Sequence, residues 1–287
     1  MTEPTKPDNF RLGKKVFIEG TITAVTGLHI GGSSIGMAIG GADAVVIRNP
    51  LTDEPYIPGS SLRGKMRSLM EKARGEMQVT IKEKVKGEND EWKEKRSDDY
   101  EDLASIPDNS LLPQHGGEVN IISGPSKKAD SDIGKLFGVA ADNESATPTR
   151  FIVRDARLTR LSKAELEGAK NTDMPMTEVK TEVWIDRITS AATPRQIERI
   201  PAGAIFSLEL ILNLYGGDDR DTFLSHVWEG LELVQSDYLG GNGGRGYGQV
   251  KFAINAVKEK DMAAYQNGTE AAAIDDLSIP SALGAEK

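Results

Sequence analysis

The sequence predicts an α+β domain whose core elements run β-α-β-β-α-β, with long insertions between them. Three observations carry this expectation. Four segments alternate apolar and polar residues with a period of two, and two others repeat apolar residues at helical spacing, in that order along the chain. Three excursions too long for ordinary loops interrupt the series. No run of eighteen apolar residues occurs, so a membrane-spanning helix is not expected.

The first strand is read over Val16 to Ala24, with Val16, Ile18, Ile22 and Ala24 on one side and Glu19, Thr21 and Thr23 largely on the other. A helix follows from Ser61 to about Glu76, where Leu62, Met66, Leu69, Met70 and Ala73 share a face roughly 100° wide. The second strand is FIVRDARL, Phe151 to Leu158. The third runs from Ala204 to Leu214, with Phe206, Leu208, Leu210, Leu212 and Leu214 on one side. Phe223, Leu224, Val227, Leu231 and Val234 mark the second helix, and Val250, Phe252, Ile254 and Ala256 the last strand. This order is the ferredoxin-like unit that RRM-type RNA-binding folds also use.

The insertions fall at Thr26 to Pro58, Met77 to Thr149 and Thr159 to Gly203. The second begins with the charge-dense stretch KEKVKGENDEWKEKRSDDYED and is expected to form a mobile or helical lid. The third alternates at Val179 to Ile188 and again near Ile197, which suggests a projecting hairpin around Ser190 to Pro194. The palm domain is thus expected over 15–257, with a lid at about 77–149 and the arm at 159–203. After Val257 the chain turns Ala-rich and polar, and 258–287 is expected to be a flexible tail.

The formal charge of −9 argues against indiscriminate attraction to nucleic acid, but local distribution decides where a phosphate backbone can lie. Between Gly59 and Arg74 stand Arg63, Lys65, Arg67, Lys72 and Arg74 against Glu71 alone. The absence of cysteine excludes disulfides and thiolate metal sites and suits a cytoplasmic protein. MTEPTKPDNFRLGKK has no apolar stretch of the kind a signal peptide needs. His29, His115 and His226 are too far apart to suggest a preformed zinc site.

Three segments carry candidate chemistry. In PGSSLRGKMRS, Pro58 to Ser68, Ser60 or Ser61 is expected to cap the helix, leaving first-turn N–H groups to receive a phosphate. Arg63, Lys65 and Arg67 would flank it. Gly64 costs about 1 kcal/mol against alanine inside a helix, which close approach of a partner's backbone would justify. An ordinary capped amphipathic helix with a solvated basic face would show the same residue types. In LGGNGGRGYGQV, Leu239 to Val250, six glycines surround Arg245 and Tyr247. Such a loop is costly to order, and its arginine and aromatic ring can hold a phosphate and stack a base. In TGLHIGGSSIGMAIGGADAVVIRNP, Asp43 is the sole carboxylate between Glu19 and Asp53. A lone acid there can bind Mg²⁺, assist a ribose 2′-OH, or merely cap a turn.

Taken together, GLHIGGSS, GGADAVVIRNPLTDEPYIPGSSLRGKMRSLME, LFGV, RFIVRDARLT, TEVWIDRITSAATPRQIERIPAGAIFSLEL and GGNGGRGYGQV resemble the backbone subunit of the type III-A CRISPR (Csm) effector complex, in the RAMP superfamily. The resemblance spans most of residues 15–257. It implies an RRM-like palm, a lid, an arm called the thumb at 159–203, and filament formation along a CRISPR guide RNA with other Csm subunits. It further implies cleavage of complementary target RNA at regular intervals with a divalent metal, taken to be Mg²⁺. Asp43 then corresponds to the catalytic acid. Ser60, Ser61, Arg63, Gly64, Lys65 and Arg67 correspond to the guide-contacting helix start. Gly243, Gly244, Arg245, Gly246 and Tyr247 fall on the glycine-rich RNA-binding loop, and His29 on a histidine of RNA binding or local structure. Two other readings remain open. One is a structural guide-binding subunit without nuclease activity. The other is a single-subunit nuclease for CRISPR precursor RNA, for which His29 and Tyr247 are the plausible acid–base pair.

Overall fold

The computed structural model describes residues 10–32, 42–86, 92–97, 119–139, 147–274 and 276–284. The glycine-rich stretch 33–41, His115 and much of the lid expected at 77–149 lie outside the described residues. In chain order the elements begin with β1 (Leu12–Ala24), β2 (Tyr56–Ile57), α1 (Gly59–Arg74), β3 (Gln78–Lys86), β4 (Trp92–Ser97) and β5 (Val119–Gly124). There follow α2 (Asp132–Phe137), β6 (Phe151–Val153), β7 (Ala156–Arg157), α3 (Arg160–Glu167), β8 (Glu178–Ile185) and β9 (Ala192–Arg199). The chain continues through β10 (Ile205–Tyr215), α4 (Arg220–Ser236), β11 (Val250–Asp261), α5 (Met262–Asn267) and β12 (Ala272–Ala273).

The chain divides into two units, one of residues 1–66 with 151–287 and one of residues 67–150. In the first, a five-stranded sheet has the order β12-β11-β1-β10-β6, with every neighbouring pair antiparallel. Without β12, that is the strand order of a ferredoxin-like palm, as the periodicity predicts. The alternation works as expected. Val16, Ile18 and Ile22 of β1 and Phe206, Leu210 and Leu212 of β10 are fully buried. Phe223, Leu224, Val227, Leu231 and Val234 of α4 are buried too, and that helix packs against β11. Asp219 starts α4 by accepting from the Thr222 amide at 2.8 Å. At Gly20 the β1–β11 register shifts, and an added Cβ would lie 2.2 Å from the Ala253 carbonyl oxygen. Only glycine lets the two strands approach there.

Three expectations are corrected and one element is added. The strand read over Phe151 to Leu158 is broken at Arg154 and Asp155. β6 joins β10, whereas β7 pairs with β2. Asp155 turns aside to accept from the Gly59 amide at 2.8 Å. At its described residues, 82–86 and 92–97, the charge-dense stretch expected to be mobile or helical forms strands, in a sheet of order β4-β3-β5. Thr159 caps a further helix, α3, at the base of the arm. Beyond Val257, where a flexible tail is expected, β11 continues to Asp261 and α5 follows. β12 pairs with β11, and Leu283 is fully buried.

The arm is the two-stranded hairpin β8–β9. Its turn is held by Asp186, whose carboxylate accepts from the amides of Ile188 at 3.0 Å and Thr189 at 2.7 Å. Val183, Trp184, Ile185 and Ile188 are exposed toward its tip.

Candidate nucleic-acid interface

Asp43, His29, Arg245 and Tyr247 each contact the β8–β9 hairpin. Ala44 bridges Ile197 of β9, and the Glu198 amide donates to the Ala44 carbonyl at 2.9 Å. This pairing presents Asp43 to solvent, with Oδ2 accepting from the Gln196 amide at 2.7 Å. The carboxylate is therefore oriented by main chain from the arm rather than left to swing.

Directly beneath lies a carboxylate that sequence reading missed. Glu198 is 1% exposed. Its Oε1 accepts from Arg48 Nη2 and from Thr177 Oγ1, each at 2.6 Å, and its Oε2 accepts from the Val46 amide at 2.8 Å. Arg48 also donates to the carbonyls of Asp53 at 2.7 Å and Pro175 at 2.8 Å. Each charge is met by hydrogen bonds, the condition under which a buried ion pair is tolerated. The network fixes the segment that follows Asp43 against the hairpin base.

His29 completes the junction. Its Nδ1 donates to the Glu198 carbonyl at 2.6 Å, which places the proton on that nitrogen. Its own carbonyl accepts from the Gly241 amide at 2.8 Å. A Cβ at Gly240 (φ 80°) would fall 2.2 Å from that same carbonyl oxygen. The ring is 8% exposed, so His29 acts as a post between β9 and the glycine-rich loop rather than as a contact surface.

That loop also meets α1. A Cβ on Gly243 would come within 2.1 Å of the Tyr238 ring, and Lys65 Nζ stands 3.6 Å from the centroid of that ring. Lys65 is paired with Asp237 at 2.7 Å as well. Thus the helix start and the loop, 180 positions apart in the sequence by the numbering of Gly64 and Gly244, share one aromatic spacer. Gly64 and Gly244 differ from the packed glycines: a Cβ on either would meet nothing within 4 Å. The same holds for Gly246, whose φ of 81° favours glycine in any case.

The basic stripe needs correction. Ser60 and Ser61 do not cap the helix, which begins at Gly59. The Pro58 carbonyl accepts from Ser61 at 3.0 Å and Leu62 at 3.3 Å, and Asp155 takes the Gly59 amide. Gly59 is required there because a Cβ would lie 2.2 Å from the Val153 carbonyl oxygen. Ser60 is exposed and Ser61 half-buried in the first turn. Arg63 Nε donates to the Phe151 carbonyl at 3.4 Å. Arg67, within the second unit, pairs with buried Glu71 at 2.7 Å and donates to the Ser126 carbonyl at 3.2 Å. Arg63, Lys65 and Arg67 therefore have structural partners already.

Arg245 is the outward-facing cation of the loop, 55% exposed, and pairs with Glu182 on β8. Tyr247 is corrected most sharply. Its ring is 1% exposed and lies under Lys180 Nζ at 4.6 Å and the Arg199 guanidinium at 5.0 Å, so it is a buried floor, not a stacking platform. Burial, then the nearby Glu182 carboxylate, pushes its hydroxyl up to about 12. The His29–Tyr247 pair of the processing-nuclease reading is accordingly enclosed rather than presented to a substrate.

Comparison with known proteins gives a consistent picture. Residues 21–251 match the model of the RAMP superfamily. The protein named CRISPR system Cms endoribonuclease Csm3 from Methanothermobacter thermautotrophicus is 35% identical over 270 residues, covering 89% of this chain and 91% of its own. Its namesake from Streptococcus thermophilus is 35% identical over 240 residues, covering 83% and 87%. Among solved structures, a chain of the Csm3–Csm4 subcomplex of the type III-A CRISPR-Cas interference complex superposes with a TM-score of 0.51 at 24% identity. It covers 92% of this chain and 90% of that one, a likeness of fold.

Proposed function

The chain belongs to the RAMP superfamily, and from that premise we propose that it is a guide-RNA-binding backbone subunit of a type III-A CRISPR interference complex that cleaves guide-paired target RNA. Its relatives are named as endoribonucleases of a CRISPR system, and its fold neighbour is a subunit of such a complex. In this reading its partners are guide RNA, complementary target RNA, further copies of itself along the guide, and other Csm subunits. Among the described residues no helix is long and apolar enough to cross a membrane.

The observation that carries the reading is the anchoring of an exposed acid, Asp43, to the projecting hairpin through the Gln196 amide. RNA brings its own nucleophile, so one acid is a sufficient protein contribution. The hairpin, with Val183, Trp184, Ile185 and Ile188 exposed, opens a base step of the guide–target duplex. The splayed nucleotide then swings its 2′-OH in line with the neighbouring phosphate. Asp43 orients that hydroxyl and takes its proton as the 2′-oxygen attacks phosphorus. The P–O5′ bond breaks, the 5′-oxygen gains a proton from water, and a 2′,3′-cyclic phosphate remains.

Among the described residues no group of three His, Asp or Glu side chains could enclose a metal ion. The donor set instead suits an ion held by Asp43 together with RNA phosphate and water, as Mg²⁺ commonly is. When bound, such an ion supplies charge neutralisation at the scissile phosphate.

The test is cleavage of guide-matched RNA by the protein assembled with guide, with Mg²⁺ and with chelator. Asp43→Ala is expected to assemble and bind guide normally while losing cleavage. Cleavage at the wild-type rate by that variant would remove Asp43 from the chemistry and overturn this reading of the site.

A further inference from the structure

Arg245 and Glu182 show a feature that simple RNA binding does not require. The one outward-facing cation of the glycine-rich loop is already occupied by an acid from the arm. A carboxylate and a phosphate offer the guanidinium fork the same kind of paired oxygens. We infer that Glu182 is an internal stand-in for an RNA phosphate on Arg245, so that seating the guide exchanges one for the other and unlatches the arm from the glycine-rich loop. The inference rests on the RNA-binding reading given above and adds a positioning residue to it.

The local chemistry favours exchange over permanent pairing. Arg245 is 55% exposed although Glu182 is 11% exposed, so solvent screens the guanidinium half of the pair and an incoming phosphate can reach it directly. Lys180 Nζ lies 3.9 Å from Glu182 Oε1, whereas Arg245 takes Oε2. When Arg245 leaves, Lys180 keeps the carboxylate paired, so no charge is stranded. Burial pushes Glu182 up, but Arg245, the Tyr247 hydroxyl and Lys180 outweigh it and hold the carboxyl below its usual range. The acid is therefore ionised at neutral pH and competent to compete. The Arg245 side chain can swing without repacking a core, because it is itself more than half exposed and a Cβ at the flanking Gly244 or Gly246 would meet nothing within 4 Å.

The latch also has an evident destination. Glu182 of β8 is the cross-strand neighbour of Arg195 on β9, and the next residue, Gln196, holds Asp43. A phosphate on Arg245 is thus two residues of hairpin away from the acid that faces the target. Exchange at Arg245 reports guide occupancy to the arm that positions Asp43.

The experiment is a double-mutant cycle read by fluorescence anisotropy, with a 5′-labelled single-stranded RNA titrated with the full chain at low salt. Glu182→Gln is expected to bind on the order of threefold to fivefold more tightly than wild type, the gain from removing a weak competing ion pair. Arg245→Ala binds more weakly, and adding Glu182→Gln to it changes nothing further. Equal tightening in both backgrounds would reduce the effect to general removal of an acid and overturn the latch, as would no tightening at all. Glu182→Asp retains the charge on a shorter arm and is expected between wild type and Glu182→Gln. Should Glu182→Gln fail to fold, binding by Glu182→Asp no tighter than wild type overturns the proposal. Failure of the wild type itself to bind RNA would instead sink the RNA-binding reading, a separate result.

Discussion

The amide of Gln196, on the arm, donates to Oδ2 of Asp43 across 153 positions of sequence. This bond aims an exposed acid without burying it. Asparagine at position 43 can still accept that hydrogen bond through its amide oxygen, but carries no charge and cannot take a proton. Asp43→Asn is therefore expected to fold and bind guide like wild type while single-turnover cleavage of matched RNA falls by about 10²-fold or more. Cleavage within a few-fold of wild type would remove Asp43 from the chemistry.

Glu198 gathers the Arg48 guanidinium, the Thr177 hydroxyl and the Val46 amide on one buried carboxylate. Glu198→Ala takes the nearest carboxylate from Arg48 and leaves the Thr177 hydroxyl and the Val46 amide without this acceptor. Unfolding in urea should show a loss of about 3 to 5 kcal/mol. Because the same network braces the segment after Asp43, cleavage should fall even at temperatures where the variant remains folded. A midpoint unchanged from wild type would show that the network does not hold the fold.

The palm was legible because its strands are long, half-buried and cleanly alternating. β10 places Phe206, Leu208, Leu210, Leu212 and Leu214 in the core as the period of two requires. The break in FIVRDARL was not legible, since no glycine or proline marks it; its cause is tertiary, the Asp155 carboxylate turning to the Gly59 amide. The second-unit strands were misread because Lys and Glu favour helix locally, and strand pairing overrode that preference. At the site, the glycine-rich loop and Asp43 stand out by composition. Glu198 does not: in RQIERI it reads as an outward residue, and its burial depends on Arg48, 150 positions away. The availability of a cation cannot be read from charge alone either, as Lys65 and Arg67 pair with Asp237 and Glu71.

Tyr247 offers a test in alkaline solution. Burial and the Glu182 carboxylate push its hydroxyl up to about 12, from an unfolded value near 10. The folded chain then holds a proton that the unfolded chain has released between these two pH values. Stability attributable to this group is fully present below pH of about 10 and declines as pH rises toward 12. Wild type should lose thermal stability over that interval faster than Tyr247→Phe, which has no such proton. Parallel curves for the two proteins would show that Tyr247 titrates alike in both states.

Glycine substitutions separate glycines needed by the fold from those kept for a partner. At Gly243 an added methyl would stand 2.1 Å from the Tyr238 ring, so Gly243→Ala must displace that ring and with it the contact of Lys65. It should lower both the unfolding midpoint and RNA affinity. Gly64 lies exposed inside α1 with open space where a Cβ would be. Gly64→Ala should therefore raise stability by about 0.5 to 1 kcal/mol through helix propensity alone. If the bare main chain at Gly64 admits the sugar–phosphate backbone, the same variant must weaken guide binding although it is the more stable protein. Opposite signs for the two measurements are the signature of a residue retained for a ligand. Undiminished affinity in the stabilised variant would remove Gly64 from the interface and leave Arg245 and its loop as the point of contact.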